Sequence, residues 1–454
     1  MALISMNPAT GETLQSFEAW GEDELERALS QAADARAPWA ALPMERRSAL
    51  MREAAAVLRR RAGQLGSLIS REVGKLQREA KGEVEKSAWV CEYYADNGAH
   101  FLADEAIESD AGRSLVAYQP LGTVLAVMPW NFPFWQVFRF AAPALVAGNT
   151  GVLKHASNVP QSALAIEEVF REAGFPEGVF RTLMIGASQV ESVIDDPRIA
   201  AVTLTGSEPA GRQVAARAGQ QIKPSVLELG GSDPFIVLDD ADLDLAVNQA
   251  VTSRFLNTGQ SCIAAKRFIL TPGIADAFVE RFRDAVEALV IGDPMDDATQ
   301  IGPMARTDLR DEIHEQVRDS IDAGAEAVTG CEPVPGDGAF YRPSILDHVK
   351  PGMRAWDEEF FGPVAIVIRV NDADEAVRVA NDSRFGLGGS VWTADSARGE
   401  AIARRLECGS AFVNGLVKSD PRLPFGGVKA SGYGRELSEH GIRAFVNAKT
   451  IWVR

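Results

Sequence analysis

The chain has 454 residues, of which 46% are hydrophobic and 24% are charged, and its formal net charge is −17. A chain of this length is too long to fold around one hydrophobic core, so we expect two or three domains. The composition is typical of a soluble globular enzyme rather than a disordered or fibrous chain. An acidic surface repels phosphate backbones, so we do not expect a nucleic-acid partner.

The first half of the chain predicts helices followed by alternating strands and helices. After an opening turn at PATGE, residues 22–39 and 44–62 have helical spacing. From about residue 122, short apolar runs alternate with helical stretches such as SALAIEEVFREAG; the predicted strands are GTVLAVM, TGVLK, FRTLMIG and AAVTLTG. This alternation predicts a doubly wound parallel sheet.

The second half predicts another α/β unit. Helices are expected over 273–290 and 373–382, between strands at DPFIVLDD, KRFILT, PVAIVIRV, GGSVWT and SAFVNG. We place the boundary between the two units near the glycine-rich LELGGSDP. The acidic stretch over 107–120, IESDAGRSLVAYQP, is predicted to form an extended arm.

The most apolar segment, 122–148, does not predict a membrane span. Three prolines and several polar side chains interrupt it, whereas a spanning helix needs about 20 predominantly apolar residues. The opening MALISMNPATGETLQSF has no basic region followed by an apolar core, so we do not expect a signal peptide.

Cysteine and histidine usage predicts neither disulfides nor a metal site. The four cysteines, Cys91, Cys262, Cys331 and Cys408, are far apart and form no CxxC, which favours a reducing, cytoplasmic setting. The five histidines form no HExxH and no cluster with cysteine.

Two glycine-containing turns could carry chemistry. In TLTGSEPAGRQ, a strand runs into a helix through Gly206, Ser207 and Gly211, which suits phosphate binding at a helix N-terminus but also fits an ordinary turn. In LELGG, Glu228 stands in an apolar strand. Burial would raise its pKa and suit a general base, although a solvent-facing strand position is the alternative.

Cys262 and Asn131 are the other two candidates. Small polar neighbours in FLNTGQSC would give substrate access to the Cys262 thiol, and Lys266 follows about one turn later if this segment is helical. A structural cysteine is the alternative. Asn131 stands between two prolines in MPWNFP, where a fixed amide could donate to an oxyanion or cap a turn.

Taken together, these motifs resemble one family. MPWNFP, LTGSEPAG, LELGG, GQSC, EEFFGPV and PFGGVKASGYGRE occur here in the order typical of the aldehyde dehydrogenase superfamily, and the resemblance covers essentially the whole chain. Longer segments, including LELGGSDPFIVLDDADLD and NGLVKSDPRLPFGGVK, resemble its short succinate-semialdehyde dehydrogenase branch.

The resemblance implies three structural parts. A doubly wound dinucleotide-binding domain is expected over 1–106 and 121–229, and a second α/β catalytic domain over 230–422. A small β-strand oligomerisation arm is expected over 107–120 and 423–454. Such arms imply a homodimer or homotetramer.

The resemblance also implies a mechanism. Cys262 would be the nucleophile, and the Asn131 amide with the Cys262 backbone N–H would hold the oxyanion. Glu228 would activate the water that hydrolyses the thioester.

For the cofactor, the resemblance implies a phosphate-binding turn at Gly206, Ser207 and Gly211, and NADP as the cofactor, with NAD possible. Its remaining contacts are expected from Trp130, Lys154, Ser157, Glu359 and Phe361. Many NAD-preferring members carry a glutamate at the position of Ser157; serine leaves room for a 2′-phosphate, and Lys154 supplies positive charge.

The substrate carboxylate is expected to meet Arg139 and Ser419, with Lys418 and Arg422 as further candidates. Leu256 stands where some relatives have a second arginine, and Arg254 lies two residues earlier. The substrate therefore stays open between succinate semialdehyde, glutarate semialdehyde and another short aldehyde, and CoA acylation is an alternative.

A redox switch is not expected at the nucleophile. Ala264 stands where some relatives carry a second cysteine, and the other three cysteines are interpreted as structural.

Overall fold

A computed structural model describes residues 2–454, which form twenty strands and fourteen α-helices. The strands are β1 Ala2–Met6, β2 Thr13–Glu18, β3 Glu105–Ala106, β4 Arg113–Pro120, β5 Thr123–Met128, β6 Thr150–His155, β7 Phe180–Thr182, β8 Ile199–Thr205, β9 Ser225–Glu228, β10 Asp233–Val237, β11 Ala265–Leu270, β12 Glu326–Thr329, β13 Ser344–Asp347, β14 Val364–Arg369, β15 Phe385–Gly386, β16 Gly388–Trp392, β17 Ser410–Val413, β18 Val428–Lys429, β19 Gly432–Tyr433 and β20 Val446–Val453.

The helices are α1 Glu22–Ala41, α2 Met44–Val73, α3 Gln77–Phe101, α4 Trp135–Val146, α5 Pro160–Glu172, α6 Val190–Asp195, α7 Glu208–Gln220, α8 Leu243–Phe255, α9 Pro272–Glu287, α10 Thr307–Asp322, α11 Arg354–Asp357, α12 Ala373–Asn381, α13 Ser396–Ala403 and α14 Ser438–Arg443. Short 3₁₀ turns cover Ala187–Gln189 and Leu256–Gly259. None of the helices in the described part of the chain is long and apolar enough to cross a membrane.

Two sheets that are mainly parallel confirm the predicted fold class. The first has the order β19-β9-β8-β5-β6-β7, with only β19 antiparallel, and the second has the order β12-β13-β14-β11-β10-β16-β17, with only β12 antiparallel. The apolar strands of these sheets are buried on both faces, as parallel sheets covered by helices require.

A three-stranded antiparallel sheet, β20-β4-β3, is separate from these two. All eight residues of β20 pair with β4, from Val446 opposite Pro120 to Val453 opposite Arg113. The short strands β18 and β19 belong to the same C-terminal region, but β18 pairs with β15 and β19 with β9. The C-terminal region therefore pairs with the first parallel sheet through β19, with β15 through β18 and with β4 through β20.

The prediction that the first hundred residues are helical after one turn is wrong for residues 2–18, which form the β1–β2 hairpin. Leu3 and Ser5 point inward while their neighbours are exposed, which is strand periodicity. The buried Ser5 hydroxyl accepts a hydrogen bond of 2.9 Å from Gln161, so a polar residue occupies an inward position and hides the pattern. The predicted helices at 22–39 and 44–62 are confirmed, and α2 continues to Val73, where Gly74 caps it in the left-handed conformation.

Candidate active site

The candidate site lies where the two parallel sheets face each other. Asn131 follows the carboxyl end of β5, and Glu228 is the last residue of β9. Cys262 precedes β11, and Glu359 precedes β14, so both lie at amino ends of the second sheet. Ligands of open α/β sheets bind outside the carboxyl ends of the strands, and this cleft has that position in the first sheet.

A cavity of about 680 Å³ occupies the cleft. It brings together eight of the predicted residues: Trp130, Asn131, Gly206, Ser207, Glu228, Cys262, Glu359 and Phe361. Five predicted residues do not line it: Arg139, Lys154, Ser157, Gly211 and Ser419.

The backbone around Asn131 is held by a buried ion pair. Lys75 pairs with Glu83, and its ammonium donates a hydrogen bond of 2.8 Å to the Asn131 carbonyl oxygen. The other Glu83 oxygen accepts the backbone N–H groups of Phe134 and Trp135, at 2.8 and 3.1 Å. Because α4 has no side-chain cap of its own, Glu83 satisfies the free amides at its first turn.

Two contacts fix the orientation of the Asn131 side chain. Its Oδ1 accepts from Gln136 Nε2 at 3.1 Å, which assigns the amide nitrogen to the opposite side. That nitrogen, Nδ2, donates to the Gln260 carbonyl at 3.1 Å and keeps a second hydrogen. Gln136 also lines the cleft, and its Oε1 is buried without a hydrogen-bond partner among residues 2–454.

The loop before Cys262 has a strained backbone. Asn257 and Thr258 have φ values of 52° and 54°, which are uncommon for asparagine and costly for a β-branched threonine. Asn257 Nδ2 donates to the carbonyls of Asn131 and Gln260, and its backbone N–H donates to Glu79. The same asparagine therefore connects the Cys262 loop to the Asn131 loop.

Lys266 holds the other side of the Cys262 loop. The residue lies in strand β11 rather than one helical turn after Cys262, and its ammonium turns back toward the preceding residues. It donates to the carbonyls of Ser261 and Cys262, both at 2.7 Å, and pairs with Glu359 at 3.0 Å. Glu359 also accepts the Gly231 N–H at 3.1 Å, so one ion pair joins the Cys262, Glu359 and LELGG loops.

The Cys262 thiol is half-buried and lines the cleft. Burial raises its pKa to about 11, against the lowering effects of Lys266 and Arg139. At neutral pH the free thiol is therefore protonated and needs a base or a cation when substrate binds.

Glu228 shares its surroundings with Glu436 and Arg139. Both Glu228 oxygens are buried and lack a hydrogen-bond partner within the described residues. Burial and then the charge of Glu436 raise the pKa of Glu228 well above its usual value, and Arg139 opposes this. A carboxyl group kept protonated in this way becomes a base at higher pH than an exposed glutamate does.

Different elements form the aromatic wall of the cleft and the turn at Gly206 and Ser207. The rings of Trp130 and Phe361 meet edge to face with centroids 5.9 Å apart. Ser207 is the N-cap of the 13-residue helix α7, whose first turn lines the cavity. The Gly206 N–H is already donated to the Glu228 carbonyl at 3.0 Å, whereas a Cβ on Gly211 would lie 2.6 Å from Leu229. Gly211 therefore allows α7 to pack against the LELGG loop.

Lys154 and Ser157 lie at and beyond the end of β6. Lys154 is buried, burial lowers its pKa, and it forms no salt bridge with another residue of the described chain. Ser157 is exposed two residues after the strand. A free cation beside an uncharged exposed side chain suits a phosphate group.

The predicted substrate residues have different environments. Arg139 forms a buried ion pair with Glu436 and donates to Thr205 at 3.2 Å, so its charge is already matched. Ser419 is buried and accepts a hydrogen bond from Lys86 at 2.8 Å. Arg422 pairs with Asp420 at 2.7 Å.

The two positions near the missing arginine do not supply a replacement. Arg254 is fully buried and donates to the carbonyls of Gly259 and Ala265 at 2.8 and 3.0 Å. Leu256 is partly exposed. Arg254 therefore supports the Cys262 loop and does not line the cleft.

A model of the aldehyde dehydrogenase family matches residues 2–451. The chain belongs to the aldehyde dehydrogenase family. It is 51% identical over 453 residues to the probable succinate-semialdehyde dehydrogenase [NADP(+)] of Synechocystis sp., and the match covers 100% of both chains. Succinate-semialdehyde dehydrogenase [NADP(+)] 1 of Mycobacterium ulcerans is also 51% identical, with 100% of both chains covered.

Solved structures of this family have the same fold. The crystal structure of succinic semialdehyde dehydrogenase from Streptococcus pyogenes in complex with NADP+ matches with a TM-score of 0.98 and 39% identity, covering 99% of each chain. The fold of this aldehyde dehydrogenase chain is therefore established by similarity as well as by its own sheets.

Sequence reasoning on this family member missed several residues of the site. Gln136 lies three residues after MPWNFP, and Glu436 ends PFGGVKASGYGRE, so proximity to a motif was the available signal. Lys75 lies in the short connection between α2 and α3, and Glu83 and Lys86 lie in ordinary helical sequence, where charge spacing alone indicates a solvated face. Their contacts with Asn131, Phe134 and Ser419 depend on how the helices pack.

Proposed function

We propose that this aldehyde dehydrogenase oxidises succinate semialdehyde to succinate, with NADP as its cofactor. One observation carries the proposal: the cleft gathers Cys262, Glu228 and Asn131 between the two sheets. The relatives that are 51% identical over full length are succinate-semialdehyde dehydrogenases that use NADP(+), which supports both the substrate and the cofactor.

In the first step, the Cys262 sulfur attacks the aldehyde carbon, and its thiol proton passes to water in the cleft. The carbonyl oxygen becomes an oxyanion that accepts hydrogen bonds from the free Asn131 Nδ2 hydrogen and the Cys262 backbone N–H. That N–H has no acceptor within residues 2–454. Donors fixed before the reaction stabilise the developing charge without reorganisation; removing one such donor costs roughly 10²–10³-fold in kcat.

NADP, when bound, would accept the hydride that leaves the substrate carbon, and loss of that hydride converts the Cys262 thiohemiacetal into a thioester. The residues proposed to hold NADP fit such a group. The N-terminus of α7 offers the backbone N–H of its N-cap residue, Ser207. The rings of Trp130 and Phe361 form an aromatic wall. Lys154 supplies a cation near Ser157. Glu359 is proposed to receive the ribose hydroxyls, and its pairing with Lys266 fixes the carboxylate.

In the last step, Glu228 takes a proton from water, and the hydroxide attacks the thioester carbonyl. The same two donors hold the second oxyanion, the carbon–sulfur bond breaks, and the carboxylic acid leaves. Because Glu228 has no hydrogen-bond partner in the described structure, its oxygens are available to water. The substrate carboxylate is proposed to lie toward Ser419 and Arg139.

We also propose a homodimer or homotetramer assembled through β20. This strand is at the edge of its sheet, and Ile451, Trp452 and Val453 expose apolar surface there. Exposed edge strands favour pairing with another chain. A cytoplasmic location is proposed because all four cysteines are free thiols.

The test is absorbance at 340 nm with purified enzyme and a panel of aldehydes: succinate semialdehyde, glutarate semialdehyde and butanal, each with NADP or NAD and with or without CoA. The proposal expects the highest kcat/KM for succinate semialdehyde with NADP, no requirement for CoA, and no activity in Cys262→Ala. Dependence on CoA, or a preference for butanal or glutarate semialdehyde, would contradict it.

A further inference from the structure

Lys86 lies on α3 beside the predicted substrate residue Ser419. Its ammonium donates a hydrogen bond of 2.8 Å to the Ser419 hydroxyl and lies 4.2 Å from the centroid of the Trp135 ring. Ser419 and Trp135 are buried, whereas Lys86 is half-buried and remains accessible. These contacts place a cation, a hydroxyl and an apolar wall in one small region.

Lys86 is the half-buried cation in this region that forms no salt bridge with another residue of the described chain, whereas the neighbouring Lys418 is exposed. Arg139 is paired with Glu436, and Arg422 is paired with Asp420. By contrast, the one side-chain hydrogen-bond acceptor of Lys86 within residues 2–454 is the Ser419 hydroxyl. A half-buried ammonium without a carboxylate partner carries a desolvation cost that an incoming anion would offset.

The remaining donors have the number and type that a carboxylate needs. A lysine ammonium has three donors, and only one is used on Ser419; a serine hydroxyl that accepts from lysine still has its own hydrogen to donate. We propose that Lys86 and the Ser419 hydroxyl bind the two oxygens of the substrate carboxylate while the Trp135 ring covers the methylene chain. This inference rests on the proposed function and names the cation that Arg139, already paired, cannot fully provide.

Backbone contacts link this subsite to the Asn131 segment. Trp135, whose ring faces the Lys86 ammonium, lies four residues after Asn131, and its backbone N–H donates to Glu83, the partner of the Lys75 that holds the Asn131 carbonyl. Burial, and then Arg139, lower the pKa of Lys86 to about 8. A carboxylate bound at Lys86 would favour the charged ammonium.

The direct test compares Lys86→Met with wild type on succinate semialdehyde and on butanal, which lacks the carboxylate. We expect kcat/KM for succinate semialdehyde to fall about tenfold to a hundredfold, mainly through KM, because a charge-assisted contact is lost. The values for butanal should stay within about twofold. Lys86→Arg should recover most of the loss. Lys81→Met, on an exposed turn of the same helix, is the matched control and should leave kcat/KM unchanged for both aldehydes.

Two outcomes would overturn the inference: equal losses on both aldehydes, or an unchanged KM for succinate semialdehyde in Lys86→Met. Melting temperatures of the variants separate these from misfolding, and Lys86→Gln provides a second uncharged variant.

Failure of the proposed substrate is measured separately, by competition of succinate against butanal. If wild type shows no preference for succinate semialdehyde, the proposed function fails, while loss of succinate inhibition in Lys86→Met still supports the carboxylate subsite. No succinate inhibition in wild type would overturn the subsite too.

A pH series provides a second readout. Lys86 is charged below its pKa of about 8, so KM for succinate semialdehyde should rise as pH increases through about 8, while KM for butanal should not. The charged neighbours are Arg139 and Lys418, which favour the neutral form, and Asp420 and Glu83, which favour the ammonium. In Lys86→Arg this rise should disappear; a rise that persists would contradict the assignment.

Discussion

Lys75 donates a hydrogen bond of 2.8 Å to the backbone carbonyl of Asn131, although neither its charge nor its carbon chain reaches the cleft. The same ammonium lies 3.7 Å from the centroid of the Phe132 ring. With Glu83 on the following amides, the ion pair fixes the segment that carries the proposed oxyanion donor. Lys75 is therefore a positioning residue for Asn131.

Replacing Lys75 with Met should lower kcat by about tenfold to a hundredfold and change KM little, because displacement of a reacting group by about 1 Å can cost this much. The variant should also lose about 3–5 kcal/mol of unfolding free energy, since Glu83 is left buried without its partner. Initial rates and urea unfolding measure the two effects.

A double-mutant cycle separates positioning by Lys75 from general loss of structure. In an Asn131→Ala background, Lys75→Met should have little further effect on kcat, because the donor that Lys75 positions is already absent. Independent, multiplicative losses would show that Lys75 does not act through Asn131. Lys81→Met, at an exposed position of α3, is a matched control.

Glu436→Gln should move the acid limb of the deacylation rate to lower pH. The wild-type Glu228 pKa is raised by burial and by Glu436, so Glu228 becomes a base only as pH rises through that raised value. Removing the negative charge of Glu436 and releasing Arg139 both lower the Glu228 pKa. Single-turnover hydrolysis of the thioester across pH 5–9 measures the shift.

The control for this shift is Glu439→Gln, which removes an exposed carboxylate three residues along and should leave the profile unchanged. An acid limb in Glu436→Gln that stays in place or moves to higher pH would contradict the proposed coupling between Glu436 and Glu228.

How far the sequence predicts this site depends on the range of each contact. Local pattern places three residues at strand ends: Asn131 follows β5, Glu228 ends β9 and Cys262 precedes β11. The parallel order of β5, β8 and β9 then brings Asn131 and Glu228 to one edge of the first sheet. Strand pattern therefore accounts for the cleft.

The supporting contacts could not be predicted in this way. Lys86 and Ser419 are separated by 333 positions, and Lys75 and Asn131 by 56. Helical periodicity on α3 indicates which positions face inward, but not which loop they meet. Lys266 shows the same limit: its spacing from Cys262 suggested a helical turn, whereas the chain enters β11 and the ammonium turns back to two carbonyls.

Replacing Ile451 and Trp452 with lysine should dissociate the proposed oligomer. Both side chains are exposed on the edge strand β20, so two added charges oppose pairing with another copy while the contacts of β20 with β4 remain. Light scattering after size-exclusion chromatography should give a larger mass for wild type and about the monomer mass for the variant. Ile222→Lys, at an exposed position outside the arm, is the control. A wild-type monomer, or a variant of unchanged mass, would contradict the proposal.

Ser157→Glu should reverse the cofactor preference. Ser157 is exposed two residues after β6, and Lys154 is the nearby cation proposed to meet a 2′-phosphate. A carboxylate at 157 would repel that phosphate and accept ribose hydroxyls, so kcat/KM with NADP should fall roughly tenfold to a hundredfold while kcat/KM with NAD is retained or rises. Cofactor dissociation constants from tryptophan fluorescence should change in the same direction without turnover. Ser396→Glu, an exposed serine on α13, should leave the ratio unchanged. If wild type strongly prefers NAD, or if both cofactors weaken equally in Ser157→Glu, Ser157 does not select NADP.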